Sequence, residues 1–238
     1  DADSPGTRAW VKNQNQLTFE FLDTIPERNN IRRRLRKLWN HERFGVPVKR
    51  GERYFYTRND GLQNQSVLYM TDSLHSAGRI LLNPNTLSKD GTVALSRWSV
   101  SDDGKHLAYS TSAAGSDWQE WRVRNVDTGR NLGDLLRWVK FSGAAWRRDG
   151  SGFYYSRYDA PRSGKKMSGI NLNQKLYFHR LGTSQSTDEL VYHNPDNPKW
   201  GYGASVTEDD RYLVISIWQG TDRRNRIYYR DLQSEDTE

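Results

Sequence analysis

A chain of 238 residues is long enough to bury a sizeable core without cross-links, and with no cysteine it has no disulfides, thiolate metal sites or cysteine nucleophiles. Aromatic residues at 12%, nine of them Trp, with recurrent Gly and polar turn formers, favour many short strands over helix bundles. The longest apolar run, Tyr212 to Trp218, is far below the roughly 20 residues that span a bilayer, so the chain reads as soluble and non-membrane, and the net charge of +7 raises the question of an acidic partner. With no initiator Met and no export signature, it reads as a processed or excerpted piece.

From Ser4 to about Leu38 the apolar spacing predicts helix, with Ser4 and Pro5 as cap and first turn and Pro26 dividing the stretch in two. Most of the positive excess sits between Glu27 and Arg50. It is interleaved there with Ile31, Leu35, Leu38, Trp39 and Phe44 at helical spacing. That pattern reads as an amphipathic helix with a solvated basic face rather than as a nucleic-acid groove. Gly45-Val46-Pro47 changes the period, which places a boundary near residue 46: a helical segment over 1–46 and a β domain over 47–238.

Beyond that boundary the chain repeats. A strand, a tight turn and a second strand recur in Trp98 to Tyr109, Ala145 to Tyr155 and Ala204 to Ile215, with a fainter copy in Lys49 to Tyr56. Each turn offers Asp-Gly or a similar pair that tolerates positive φ. A third strand follows each copy, at Ser66 to Tyr69, Glu120 to Val126, Lys175 to His179 and Arg226 to Arg230, and turns such as Asp127-Thr128-Gly129 introduce a fourth. The turn positions Gly51, Gly104, Gly150 and Asp210 are 53, 46 and 60 residues apart, the period of a four-stranded propeller blade. Four copies ending in an acidic tail read as an incomplete propeller.

Catalytic chemistry is sparse. No Gly-x-Ser-x-Gly elbow occurs, and Gly150-Ser151-Gly152 lies in a hairpin turn. The five histidines show no metal-ligand spacing, and neither a metal nor a cofactor is expected. Asp102-Asp103 and Asp209-Asp210 occupy the same place in the repeat, which makes them architectural. Trp98, Trp118, Trp121, Trp138, Trp146, Trp200 and Trp218 are expected to pack between blades rather than to serve as stacking platforms.

The blocks Arg53 to Tyr69, Leu82 to Leu95 and Ser110 to Trp118 resemble the propeller opening of prolyl oligopeptidases. Val139-Lys140-Phe141-Ser142, Asn173 to Tyr177, Leu181-Gly182-Thr183 and Pro198-Lys199-Trp200 keep that family's order. The resemblance implies a mainly β fold: about four blades of a seven-bladed propeller, preceded by a helical segment that in the family wraps the catalytic domain. It implies an enzyme that cleaves short proline-containing peptides with a Ser-Asp-His triad on an α/β-hydrolase domain; of that catalytic domain the family places the helical segment in this chain, but not the triad. It also places Phe141, Gly201, Trp218 and Thr221 around the substrate cavity. Trp218 stands where the family commonly has Arg, and Gly201 where a larger residue is frequent, so the cavity is expected to be roomier at 201. By the same resemblance the compartment is cytoplasmic or periplasmic. A free-standing propeller scaffold and a basic nucleic-acid-binding repeat protein are the alternatives.

Overall fold

The computed structural model describes residues 4–162 and 169–234. Helix α1 spans Pro5–Asp23 and α2 spans Arg28–Trp39. Ser4 caps α1 by accepting the Thr7 N–H at 3.1 Å, and Pro5 follows at the first helical position, where its missing donor costs nothing. Neither helix contains a buried residue. Leu17 and Phe21 on α1, and Ile31, Leu35, Leu38 and Trp39 on α2, are all at least half exposed. The apolar stripe read from the sequence is present, and nothing among the described residues covers it.

The sixteen strands of the described residues form four antiparallel sheets. Sheet 1 holds β1 (Arg43–Phe44), β2 (Val48–Arg50), β3 (Arg53–Asn59), β4 (Val67–Thr71) and β5 (Arg79–Leu82). Here β1 and β2 are one strand interrupted at Gly45–Pro47, since both pair with β3, so the sheet begins before the change of period at residue 46. Sheet 2 runs β6 (Val93–Val100), β7 (His106–Ala113), β8 (Gln119–Asn125), β9 (Asn131–Val139). Sheet 3 runs β10 (Ala145–Trp146), β11 (Gly152–Arg157), β12 (Lys175–Arg180), β13 (Glu189–Tyr192). Sheet 4 has β14 (Trp200–Val206), β15 (Tyr212–Gln219) and β16 (Arg226–Asp231). Each sheet is one blade, and the third strands coincide with those expected from the repeat.

Period-two alternation then joins blade to blade. On β7, Leu107 and Tyr109 pack with Phe55, Leu68 and Leu82 of blade 1, while Ala108 between them faces Phe153 and Tyr155 of blade 3. On β11 the alternation repeats, because Tyr154 turns the other way and joins Trp200, Tyr202 and Leu213 of blade 4. The middle strands are therefore covered on both faces, as the run of five buried residues in β11 shows. Strand β10 touches both β6 and β14, so the first strands stand side by side at the inner edge of the array. Trp146 reaches across that edge and donates its indole N–H to the Ser99 carbonyl at 3.2 Å.

All four hairpin turns between first and second strands adopt positive φ, at Gly51, Gly104, Gly150 and Asp210. At the first two, glycine is required twice over. The Gly51 N–H donates to the Asp102 carbonyl at 2.8 Å, and a Cβ on Gly51 or Gly104 would stand 2.7 Å from a carbonyl oxygen of the opposite turn. The paired acids serve these turns. Asp103 accepts from the Ser101 hydroxyl and the Lys105 N–H, Asp209 accepts from Thr207 and Arg211 in the same way, and Arg50 bridges to Asp102 at 3.4 Å. A carboxylate so engaged is not free for acid or base work.

Candidate functional site

The first strands run toward the hairpin turns, so residues that precede or open them lie at the opposite end of the blades. Phe141 sits four residues before β10, Gly201 is the second residue of β14, and the pairing of β14 with β15 sets Trp218 directly opposite Gly201. Thr221 lies in the turn that closes β15. All four sequence-selected residues thus belong to one end of the molecule.

Phe141 is half exposed on the loop between β9 and β10 and has φ of 56°, a left-handed conformation that costs an L-residue about 1–2 kcal/mol. Trp138, three residues earlier, is also left-handed. Between them Lys140 folds inward. Its ammonium lies 4.1 Å from the Trp118 ring centroid, and Trp118 meets Trp138 and Tyr158 edge-on at 5.8 and 6.2 Å. Burial pulls the Lys140 pKa below its ordinary value, partly offset by Asp117. The loop therefore turns its cation in against aromatic faces and its phenyl ring out.

Gly201 and Trp218 form one unit. A Cβ at Gly201 would lie 2.5 Å from the Trp218 indole, and the same ring approaches Gly203. The space a side chain at 201 would take is already filled, so the roomier cavity expected there is not found. The hairpin centred on Asp209 and Asp210 pairs 201 with 218, and this coupling could have been read from the sequence through the turn. Gly201→Leu must push the indole off the strand, and Trp218→Ala should relieve that conflict. The expected result is a double-mutant coupling of about 1–3 kcal/mol in unfolding free energy. Additive effects would show that the two side chains do not share space.

Thr221 is exposed and makes no described contact with the other three. None of the four lines the cleft of about 570 Å³ on blade 2, which is bordered by Tyr109, Trp118, Glu120, Arg122, Arg137 and Trp138. Sequence reasoning missed this cleft, because its charged members lie on alternate positions of strands that only register brings together. Glu120 holds both arginines, at 3.4 and 3.3 Å.

Compared with known proteins, residues 1–238 match the family model described as the prolyl oligopeptidase N-terminal β-propeller domain. The chain belongs to the prolyl oligopeptidase family. It is 41% identical to a prolyl endopeptidase of Elizabethkingia meningoseptica over 96% of its own length, and 34% identical to a prolyl oligopeptidase A of Amanita bisporigera. Those matches cover 32% and 33% of the two relatives, so the chain spans about a third of the curated relatives it matches. Among solved structures, a prolyl endopeptidase studied for inter-domain dynamics in catalysis and specificity superposes with a TM-score of 0.76 at 40% identity. That match covers 98% of this chain and 33% of the other. Prolyl oligopeptidase B of Galerina marginata, bound to a 25-residue macrocyclization substrate, gives 0.87 at 28% identity, covering 99% and 35%.

The described residues correspond to the family's propeller domain, and they contribute turns, packing and loops. One buried cluster nonetheless uses a histidine. His179 on β12 is fully buried and its Nε2 meets Asp134 at 2.9 Å, while its Nδ1 meets Asp188 at 2.7 Å. Asp134 also accepts the Gly182 N–H at 2.7 Å, and Tyr155 donates its hydroxyl to Asp188 at 2.6 Å. Asp134 belongs to blade 2 and the other four to blade 3 or the loop after β12, so the cluster ties the two blades together. Burial alone would lower the His179 pKa, but the two carboxylates outweigh it and raise it to about 9. The imidazole is held as a cation by fixed partners, the arrangement of a strut rather than of a catalytic base.

Proposed function

We propose that this chain is the substrate-gating part of a prolyl oligopeptidase-type serine peptidase acting on short proline-containing peptides, with its Ser-Asp-His triad on an α/β-hydrolase domain that lies outside these residues. The observation that carries this reading is the match of the whole chain to the family's propeller domain, together with relatives named for that activity. The division into a helical segment over 1–46 and a partial propeller over 47–238 fits the same reading. The uncovered stripe of α1 and α2 supports it too, since helices with no buried residue need an apolar partner. The hydrolase domain is that partner, and the basic residues of α2 then face solvent or acidic groups of the same protein rather than nucleic acid. No helix among the described residues is long and apolar enough to cross a membrane.

In this reading the end of the blades bearing Phe141, Gly201, Trp218 and Thr221 faces the bound peptide. Phe141 is the member best suited to contact it, because its ring is exposed on a loop held in an uncommon conformation. Phe141→Ala in the full-length protein is expected to leave the melting temperature within about 2 °C, since no core is lost, and to raise KM for longer peptides with kcat little changed. A fall of about 10 °C with unchanged kinetics would instead mark a packing residue, as a buried Phe→Ala costs roughly 3–5 kcal/mol.

A further inference from the structure

The loop that carries Phe141 is fastened from both sides by buried polar side chains. Gln174, fully buried ahead of β12, donates its Nε2 hydrogen to the Lys140 carbonyl at 2.9 Å and accepts the Tyr202 N–H on its Oε1 at 2.6 Å. One amide thus joins the residue before Phe141 to the residue after Gly201. On the other side, the Ser156 N–H donates to the Ser142 hydroxyl at 2.8 Å, and the Ser156 hydroxyl donates to the Tyr202 carbonyl at 2.7 Å. Ser142, Ser156 and Tyr202 are all buried. Both peptide groups of Tyr202 are therefore tied to the two neighbours of Phe141, one directly through Gln174 and one through Ser156.

We propose that Gln174 is a positioning residue: it fixes the Phe141 ring relative to the Gly201–Trp218 unit, and so sets how the propeller side grips the peptide residues remote from the scissile bond. The inference rests on the reading of Phe141 as a peptide contact. Only a side chain with a donor and an acceptor at one end can satisfy a carbonyl and an N–H together, and glutamine does so here with no other described partner. Phe141 sits in a left-handed conformation, which persists only where its surroundings over-determine it. The tethers on Lys140 and Ser142 supply that constraint, and their loss releases the loop.

The test compares Gln174→Met, which keeps the volume and removes both hydrogen bonds, with Phe141→Ala and the double variant in the full-length protein. Two substrates are used, a short reporter reaching little beyond the proline and a peptide several residues longer. Gln174→Met is expected to raise KM for the longer peptide about tenfold with kcat within twofold, to spare the short reporter, and to add nothing to Phe141→Ala. A crystal structure of the variant is expected to show Phe141 outside the left-handed region. Additive effects, equal losses on both substrates, or an unmoved Phe141 overturn the proposal. If Phe141→Ala is itself silent while the crystal structure shows the loop released, the peptide-contact reading has failed and the tethering stands. Should Gln174→Met not fold, Ser142→Ala removes the other tether and is read by the same criteria.

Discussion

Replacing His179 with Leu is expected to destabilise the protein by about 3–5 kcal/mol, a fall in melting temperature on the order of 10 °C for a domain of this size. The substitution leaves Asp134 and Asp188 facing one another in a site that is fully buried at all three side chains. Breaking a buried pair costs more than the pair contributes, because the remaining charges have lost their compensation and cannot reach water. The pH dependence identifies the cause. His179 binds its proton more tightly in the folded state, with a pKa of about 9 against 6.5, so its contribution is complete below pH 6.5 and disappears as pH rises through 9. Asp134 shows the opposite sign. Burial would raise its pKa, but hydrogen bonds from His179 and the Gly182 N–H hold it below the ordinary value, so its contribution is lost as pH falls below 3.8. The free-energy difference between the parent and His179→Leu should therefore shrink between pH 7 and pH 10, followed by chemical denaturation at each pH. A difference that stays constant across that window would show that His179 is neutral in the folded state.

Most of the blade architecture was legible because propeller blades are built from local contacts. Asp-Gly pairs mark turns that need positive φ, and period-two alternation marks strands, so the hairpins Trp98 to Tyr109 and Ala145 to Tyr155 are written in the sequence itself. Capping was equally local, with Ser4 serving Thr7 three residues away. What escaped the sequence depends on separation along the chain. Asp134 and His179 are 45 residues apart, and Gln174 is 28 from Tyr202 and 34 from Lys140. No periodicity links such positions, since they meet only once blades 2, 3 and 4 are stacked. The family resemblance chose residues by order, and order alone could not show that Trp218 lies over Gly201. The helical stripe is present as read, and no described residue covers it. An amphipathic pattern states that a face must be covered without naming its cover.

The same strand supports both the core and the candidate site, so removing a single aromatic there is expected to have a large effect on stability. Phe153 on β11 is fully buried, with ring centroids of Trp146, Tyr155 and Trp121 at 5.0, 6.1 and 6.3 Å and the His179 imidazole at 5.5 Å. Three residues on, Ser156 holds Ser142 and Tyr202, so the loop of Phe141 is fastened to a strand with five consecutive buried residues. Phe153→Ala is expected to cost about 4–5 kcal/mol, the cavity penalty for a buried Phe with the aromatic pairs lost on top of it. Phe153→Leu, which refills most of the volume, should cost under about 2 kcal/mol. Because Phe153 packs on His179, the double variant with His179→Leu should fall short of the sum of the single effects by about 1 kcal/mol or more. Urea unfolding of the parent, both singles and the double variant measures all of these. Strict additivity, or a Phe153→Ala cost below about 2 kcal/mol, would mean that blades 2 and 3 can collapse around the cavity. The rigid seat proposed for the Phe141 loop would then have to lie elsewhere.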